Sequence, residues 1–415
     1  MREVKAEIIS IGDELLIGQV TNTNASWIAS ELNKAGIAVS KITAINDSKK
    51  EIFEALDAAR ESIILITGGL GPTKDDITKD VLIKYFDSKL IFHKPTFEHI
   101  KTLFGSRKYP LTKVNKDQAL IPDKCTPLYN QYGTAPGMWF ENDGKVVVSM
   151  PGVPFEMKAM VTNELIPKLK KEFQIKNIIH RTIMTIGVGE SMLAEKIAEW
   201  ENSLPKHIKL AYLPQPGIVR LRLSTYGNNY EKAYSEIESY ISGLQNIIPD
   251  KIFGFDDISL QEVVGDLLSE NGKTLSTAES CTGGYIAHLI TSISGSSDYF
   301  TGTVVSYAND IKVKQLKVRQ SDIDKYGAVS QEVVQQMAIG GRSLLNTDYC
   351  LATSGIAGPE GGTDDKPVGS VWVALAHSEG VTSKVFQFGE HRGRNIHRSA
   401  LAALNMLRKE LLQNL

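Results

Sequence analysis

Ser280 and Cys281 stand side by side in the run Ala278-Glu279-Ser280-Cys281-Thr282-Gly283-Gly284, and a hydroxyl next to a thiol next to two glycines is material for nucleophilic chemistry. Tyr307, Asn309 and Lys312 follow within Ser306-Tyr307-Ala308-Asn309-Asp310-Ile311-Lys312, and Ser354-Gly355-Ile356-Ala357-Gly358-Pro359-Glu360-Gly361-Gly362 adds a third polar stretch. Nucleophilic catalysis needs a nucleophile, a base to take its proton and donors for the negative charge that develops. No histidine lies in any of the three stretches, so Lys312 is the candidate base and Tyr307 a candidate proton relay or substrate contact.

These residues depend on a corner of the chain. The apolar period changes from 2 towards 3.6 after Ala278, so a strand over 274–278 should break at Glu279–Thr282 and re-enter as a helix at Gly283 or Gly284. The amides and positive dipole end of that helix can hold an oxyanion or a phosphate. The same letters also fit a serine N-cap followed by glycines that let a helix pack on a sheet. Adjacent side chains of an extended strand end face opposite ways, so one of Ser280 and Cys281 should face the pocket; a thiol at a helix N-terminus is the more easily activated of the two.

A second constellation lies near the start. Val4 to Ile11 reads as a buried strand ending in Gly12-Asp13-Glu14. A helix over 22–34, a strand over 37–45, a helix over 49–60 and a strand over 62–67 follow, which predicts a doubly wound, mainly parallel sheet. In such sheets sites lie at the carboxyl ends of the strands. There, Gly68-Gly69-Leu70-Gly71-Pro72-Thr73-Lys74-Asp75-Asp76 runs into a helix carrying Asp80. Its glycines would let backbone amides approach a phosphate, and Asp75, Asp76 and Asp80 offer oxygen ligands to a hard cation. It lacks the G-K-[ST] of a Walker loop, and a glycine turn before an acidic helix start is the plainer reading.

In family order, A-E-S-C-T-G-G, Y-A-N-x-x-K and G-I-A-G-P resemble the C-terminal domain of the CinA family, the competence/damage-inducible A proteins. I-G-D-E-L-L-I-G-Q-V-x-x-T-N, G-G-L-G-P-T-x-D-D and M-P-G-V-P-x-E-M resemble its N-terminal, molybdopterin-binding-like domain. The resemblance implies deamidation of nicotinamide mononucleotide by the C-terminal domain, without a cofactor. Ser280, Lys312 and Tyr307 would be catalytic, with Glu279, Cys281, Thr282, Gly283, Gly284, Asn309, Ser354, Gly355, Gly358 and Arg392 around the substrate.

For the N-terminal domain the resemblance implies magnesium- or manganese-dependent cleavage of ADP-ribose. Asp13, Glu14, Asn24, Gly69, Gly71 and Thr73 would hold the ligand and Asp75, Asp76 and Asp80 the cation, with the loop Pro151 to Glu156 at the border. The chain departs from the family's G-D-R-x-x-[IV]-R, reading Gly389-Glu390-His391-Arg392-Gly393-Arg394 instead, which leaves Arg392 and Arg394 both open as the phosphate ligand. A nucleotide-binding regulatory protein linked to competence or DNA damage, or molybdopterin handling, are the alternatives.

Length and composition frame both sites. At 415 residues the chain should fold as two or three domains. We expect a molybdopterin-binding-like domain over 1–170, a small KH-like α+β module with a linker at 249–257 over 171–255, and an α/β amidohydrolase domain over 256–415. The module's Gly187-Val188-Gly189-Glu190 turn places a carboxylate where RNA-binding relatives clamp phosphate, so it reads as a spacer or dimerisation element and a homodimer is expected. Lys+Arg 46 against Asp+Glu 48 gives net charge −2, which argues against nucleic acid and anionic membrane as partners. Three cysteines, far apart and without a C-x-x-C pair, suggest neither disulfides nor zinc. No apolar run of about 18 residues occurs, so a cytoplasmic protein is expected, and the resemblance implies small nucleotides as its ligands.

Overall fold

The computed structural model describes residues 4–71, 73, 76–106, 110–142, 144–175, 177–227 and 229–413. The chain divides into two compact units, Met1–Ile179 with Thr225–Tyr234, and His180–Ser224 with Ser235–Leu415.

The first unit is built on β1 (Lys5–Ile11), whose residues alternate between two faces and are apolar on both. Ile8 joins Ala25, Ile28 and Leu32 of the helix Thr23–Lys34 in one cluster, while Ile9 and Ile11 join Ile52 and Leu56 of the helix Lys49–Ala58 in another. A strand apolar on both faces belongs inside a sheet covered on both sides. The other strands are β2 (Ala38–Ile45), β3 (Ile63–Thr67), β4 (Leu90–Phe92), β5 (Leu120–Pro122), β6 (Cys125–Leu128), β7 (Gly137–Asn142) and β8 (Lys145–Met150).

The main sheet runs β2-β1-β3-β8-β7-β6. The first four strands are parallel, and the hairpin β7–β8 and the pair β6–β7 are antiparallel. The expected doubly wound sheet is therefore present with an antiparallel edge. Three loops, 12–14, 68–73 and 151–156, leave the carboxyl ends of the adjacent parallel strands β1, β3 and β8. The hairpin tip at Asp143 lies outside the described residues. The ribbon β4–β5 and the helices Lys94–Ser106 and Lys113–Asp117 lie where the sequence offered no clear period.

The second unit holds two sheets. One, ordered β10-β11-β9-β12, consists of β9 (Asn177–Ile186), β10 (Lys209–Gln215), β11 (Ile218–Gly227) and β12 (Ile252–Phe255). The expected linker at 249–257 is thus corrected: its middle is a strand paired antiparallel with β9, and Ile252 and Phe253 are buried. The other sheet, ordered β14-β13-β15-β16-β17, consists of β13 (Leu275–Glu279), β14 (Phe300–Val305), β15 (Tyr349–Gly355), β16 (Ser370–His377) and β17 (Gly380–Gln387). Strand β13 is parallel to β14 and β15, and β16 and β17 are antiparallel additions.

Met184, Ile186 and Phe253 of the first of these sheets share one apolar cluster with Leu260, Leu351, Val373 and Leu404. Arg408, buried in the final helix Arg392–Gln413, donates to the carbonyls of Ile252 (3.0 Å) and Asp250 (3.3 Å). On the opposite face of the last sheet, the helices Asn309–Leu316 and Gln331–Leu345 cover Ala278, Cys350 and Ala374.

Those two helices touch at Gly340, where an added Cβ would lie 1.9 Å from the Leu316 carbonyl oxygen. Gly340 therefore sets how closely the Lys312-bearing helix can sit against its neighbour. Helix propensity alone would favour alanine there by about 1 kcal/mol, but overpacking against backbone costs about 1–3 kcal/mol. Gly340→Ala should lower the urea midpoint of the second unit; a raised midpoint would show that the helices do not approach this closely.

Candidate active site

The corner after β13 is organised by Glu279, which is fully buried. Its Oε2 accepts from the Thr282 hydroxyl (2.7 Å) and the amides of Gly284 (3.0 Å) and Ile286 (3.1 Å), and its Oε1 from the amide of Ala287 (2.9 Å). A side-chain carboxylate thus takes the donors that a helix start leaves without intrahelical partners. This fixes the helix Tyr285–Thr291 against the strand end; it begins one residue after the expected start, with Gly283 and Gly284 at φ +61 and +94. Glu279 is consequently a structural residue and not the substrate contact expected from the sequence.

Ser280, between that carboxylate and the turn, is held by its own amide, which donates to the Thr353 carbonyl of β15 (3.0 Å). Its hydroxyl meets Lys312 Nζ at 3.1 Å. Lys312 is only 1% exposed. Its amine also donates to the carbonyls of Ser306 (2.7 Å) and Tyr307 (3.3 Å). A neutral amine has two hydrogens and one lone pair; two carbonyls can take the hydrogens, leaving the lone pair for the Ser280 hydroxyl proton. Burial holds the Lys312 amine below its ordinary value of 10.5. Desolvation, and not a neighbouring arginine, is the cause.

Cys281 is a poorer nucleophile than Ser280 in this setting. It is buried in one apolar cluster with Leu275, Ile286 and Val371, and burial pushes its thiol up to about 12, which disfavours the reactive thiolate. Two backbone amides beside Ser280 remain available: among the described residues, those of Cys281 and Thr282 donate to no protein acceptor, whereas Gly283 donates to the Ser280 carbonyl (3.0 Å) and Gly284 to Glu279. The oxyanion donors expected over Cys281 to Gly284 therefore narrow to two. Thr282 has its buried hydroxyl shared between Glu279 and Thr353 (2.7 Å each) and offers substrate only its backbone.

Tyr307 is 60% exposed, and its hydroxyl accepts from Arg392 Nη2 (3.0 Å). It touches the Ser280–Lys312 pair through its carbonyl, so the relay expected of its hydroxyl has no hydrogen bond behind it. Arg392 also donates to the Gly358 carbonyl (2.8 Å), which draws the loop after β15 to the same place. Asn309 opens the Lys312 helix and is exposed. Ser354 is corrected: it is buried and its hydroxyl donates to the Ala328 carbonyl (2.6 Å). Gly355 and Gly358 serve close packing, since a Cβ would meet Val371 Cγ2 at 2.6 Å and Val368 Cγ1 at 2.5 Å respectively.

In the first unit, Asp13 and Glu14 are exposed on the first turn after β1. Asp13 Oδ1 accepts from the Asp47 amide (3.3 Å). Asp47 was not singled out by the sequence. Its carboxyl is raised, first by burial and then by the charges of Asp13, Glu14 and Asp76, so these four share one negative locality. Asp76 accepts from the Thr73 amide (2.9 Å) and hydroxyl (2.5 Å). Gly69 has φ +64 and no room for a side chain against Thr78, whereas a Cβ on Gly71 would first meet the Asp76 carboxylate.

Asn24 donates to the Gly152 carbonyl (2.6 Å), tying the loop after β8 to the helix after β1. Asp80 is exposed on the first turn of the helix Thr78–Tyr85, beside Lys79, on which its charge acts. Asp75 lies outside the described residues. Among the described residues no three histidine, cysteine or acidic side chains converge as a metal cage, and no helix is long and apolar enough to cross a membrane.

Comparison with known proteins agrees across the chain. The profile of the CinA C-terminal domain matches residues 257–411, that of the probable molybdopterin binding domain residues 7–171, and that of the damage-inducible protein CinA KH domain residues 180–254. A CinA-like protein of Flavobacterium psychrophilum is 49% identical over 415 residues, 99% of each chain. A CinA-like protein of Cytophaga hutchinsonii is 47% identical over 410 residues, 98% of each chain. The solved competence/damage inducible protein CihA of Agrobacterium tumefaciens is 36% identical, covering 37% of this chain and 93% of its own, with TM-score 0.36. With three domain profiles in order and near-complete overlap with its relatives, the chain belongs to the CinA family.

Proposed function

We propose that the C-terminal domain hydrolyses the carboxamide of nicotinamide mononucleotide, giving nicotinate mononucleotide and ammonia. The observation that carries this reading is the buried Lys312 amine aimed at the Ser280 hydroxyl and held by two carbonyls. Lys312 takes the proton as Ser280 Oγ bonds to the amide carbon, and the resulting oxyanion receives the Cys281 and Thr282 amides. The Lys312 ammonium then protonates the departing nitrogen, which leaves as ammonia with an ester on Ser280. Water attacks that ester, Lys312 accepts its proton, and nicotinate and the serine hydroxyl are restored. Arg392, at the mouth beside Tyr307 and Gly358, faces the 5′-phosphate.

For the N-terminal domain we propose hydrolysis of ADP-ribose to AMP and ribose 5-phosphate, supported by the glycine loop beside the Asp13, Glu14, Asp47 and Asp76 locality. Magnesium or manganese is the cofactor this reading expects. The described carboxylates form no closed cage, and Asp76 Oδ2 already accepts from Thr73. The chain's own contribution is limited to positioning: glycine amides toward phosphate and carboxylates at the loop mouth.

Ammonia release from nicotinamide mononucleotide by the purified protein tests the first activity. Ser280→Ala should abolish it, while Cys281→Ala should retain most of it; the reverse ranking would move the nucleophile to the thiol. The amine must be neutral to act, so the wild-type rate should rise with pH through an ionisation below 10.5 and level off above it. Lys312→Met and Lys312→Arg should both fold and both fail, since guanidinium stays charged. Near-normal turnover by Lys312→Arg would make Lys312 a structural contact.

Asp76→Asn should suppress ADP-ribose cleavage and leave ammonia release unchanged, because the two residue sets occupy separate compact units. Equal loss of both activities would show that the substitution acts through folding. Undiminished cleavage would remove Asp76 from the site.

A further inference from the structure

Tyr132 and Phe155 are 44% and 58% exposed, yet their rings meet edge to face, with centroids 6.0 Å apart and planes at 62°. Exposed aromatic pairs lose hydrophobic stabilisation unless something covers them. This pair is also firmly built. Buried Asn130 accepts from the amides of Tyr132 (3.2 Å) and Gly133 (2.9 Å) and donates to Glu156 Oε2 (2.7 Å) and the Ala135 carbonyl (2.8 Å). Gly133 sits so close to Glu156 that a Cβ would fall 2.0 Å from Oε2. The turn bearing Tyr132 is therefore clamped to the helix bearing Phe155.

The location of the pair points to its occupant. Phe155 lies on the first turn of the helix Pro154–Met160, directly after Gly152, whose carbonyl Asn24 holds. A Cβ on Gly152 would sit 3.4 Å from the Gly68 Cα, so this loop lies against the start of the glycine loop Gly68–Gly71. The rings thus continue a surface that begins at the candidate phosphate loop.

We propose that Tyr132 and Phe155 form the stacking platform for the base of a purine nucleotide whose phosphate lies at the Gly68–Gly71 loop. This rests on the nucleotide reading of the N-terminal domain and extends it from the phosphates to the base. Stacking uses ring faces and no directional bond, so removing either ring should weaken a nucleotide without affecting the same molecule lacking its base.

Calorimetric titration of the full chain with AMP and with ribose 5-phosphate tests it, with thermal melting to verify folding. Tyr132→Ala and Phe155→Ala should each weaken AMP roughly tenfold, leave ribose 5-phosphate unchanged, and melt as wild type does. Tyr132→Phe should bind AMP normally. The platform is overturned by unchanged AMP affinity in both alanine variants, by equal loss for both ligands, or by wild type that does not bind AMP. A shift in sedimentation with AMP affinity intact would instead make the rings a contact between copies of the chain. If AMP binding shows the expected pattern but ADP-ribose is not cleaved, the platform stands and the hydrolytic reading of this domain fails.

Discussion

The site in the second unit depends on burying one carboxylate inside a helix start. Glu279 holds the amides of Gly284, Ile286 and Ala287 together with the Thr282 hydroxyl, so strand, turn and helix are tied by one side chain. A carboxyl group left in an apolar interior without such donors would be strongly unfavourable. With them, it converts the flexibility of Gly283 and Gly284 into a single corner geometry. Ser280 is presented by that corner, and every other feature of the site is measured from it.

Lys312 is placed by the complementary device. Its helix starts just after Tyr307, and its amine turns back to the carbonyls of Ser306 and Tyr307, so the amine is steadied by the chain that leads into its own helix. Taking carbonyls and not carboxylates as neighbours matters electrostatically. A carboxylate would hold the ammonium form, whereas neutral dipoles in a dry interior leave desolvation to favour the amine. Cys281 shows the same physics with the opposite consequence, since desolvation there keeps the proton on and the thiol inert.

Much of this was legible before any coordinates. Ser280 and Lys312 stand in separate motifs, and the change of hydrophobic period located the corner that unites one of them with a sheet. The partition of roles inside a motif was not legible. Glu279 and Ser354 are polar letters in polar runs, and only burial reveals that both are committed to the protein's own hydrogen bonds. Asp47 follows β2 without glycine punctuation, and its link to Asp13 is a tertiary contact. Three-residue strands such as β4 and β5 are too short to show a period, and β12 was concealed by Gly254 within it and by Pro249, Asp256 and Asp257 around it, which read as loop. Tyr132 and Phe155 lie in no periodic pattern, and their meeting is created by Asn130.

Arg408 makes the apparent seam near 250–257 a poor place to divide the polypeptide. Its buried guanidinium draws on the carbonyls of Asp250 and Ile252, and Met184 and Phe253 fill the same apolar cluster as Leu404. A fragment beginning after β12 would carry an arginine left with Asn405 Oδ1 in place of its two backbone acceptors, and a newly wetted hydrophobic wall. Modularity in the order of profiles along the chain is therefore not modularity in folding. A solitary C-terminal domain derived from this sequence would first have to lose its dependence on that arginine.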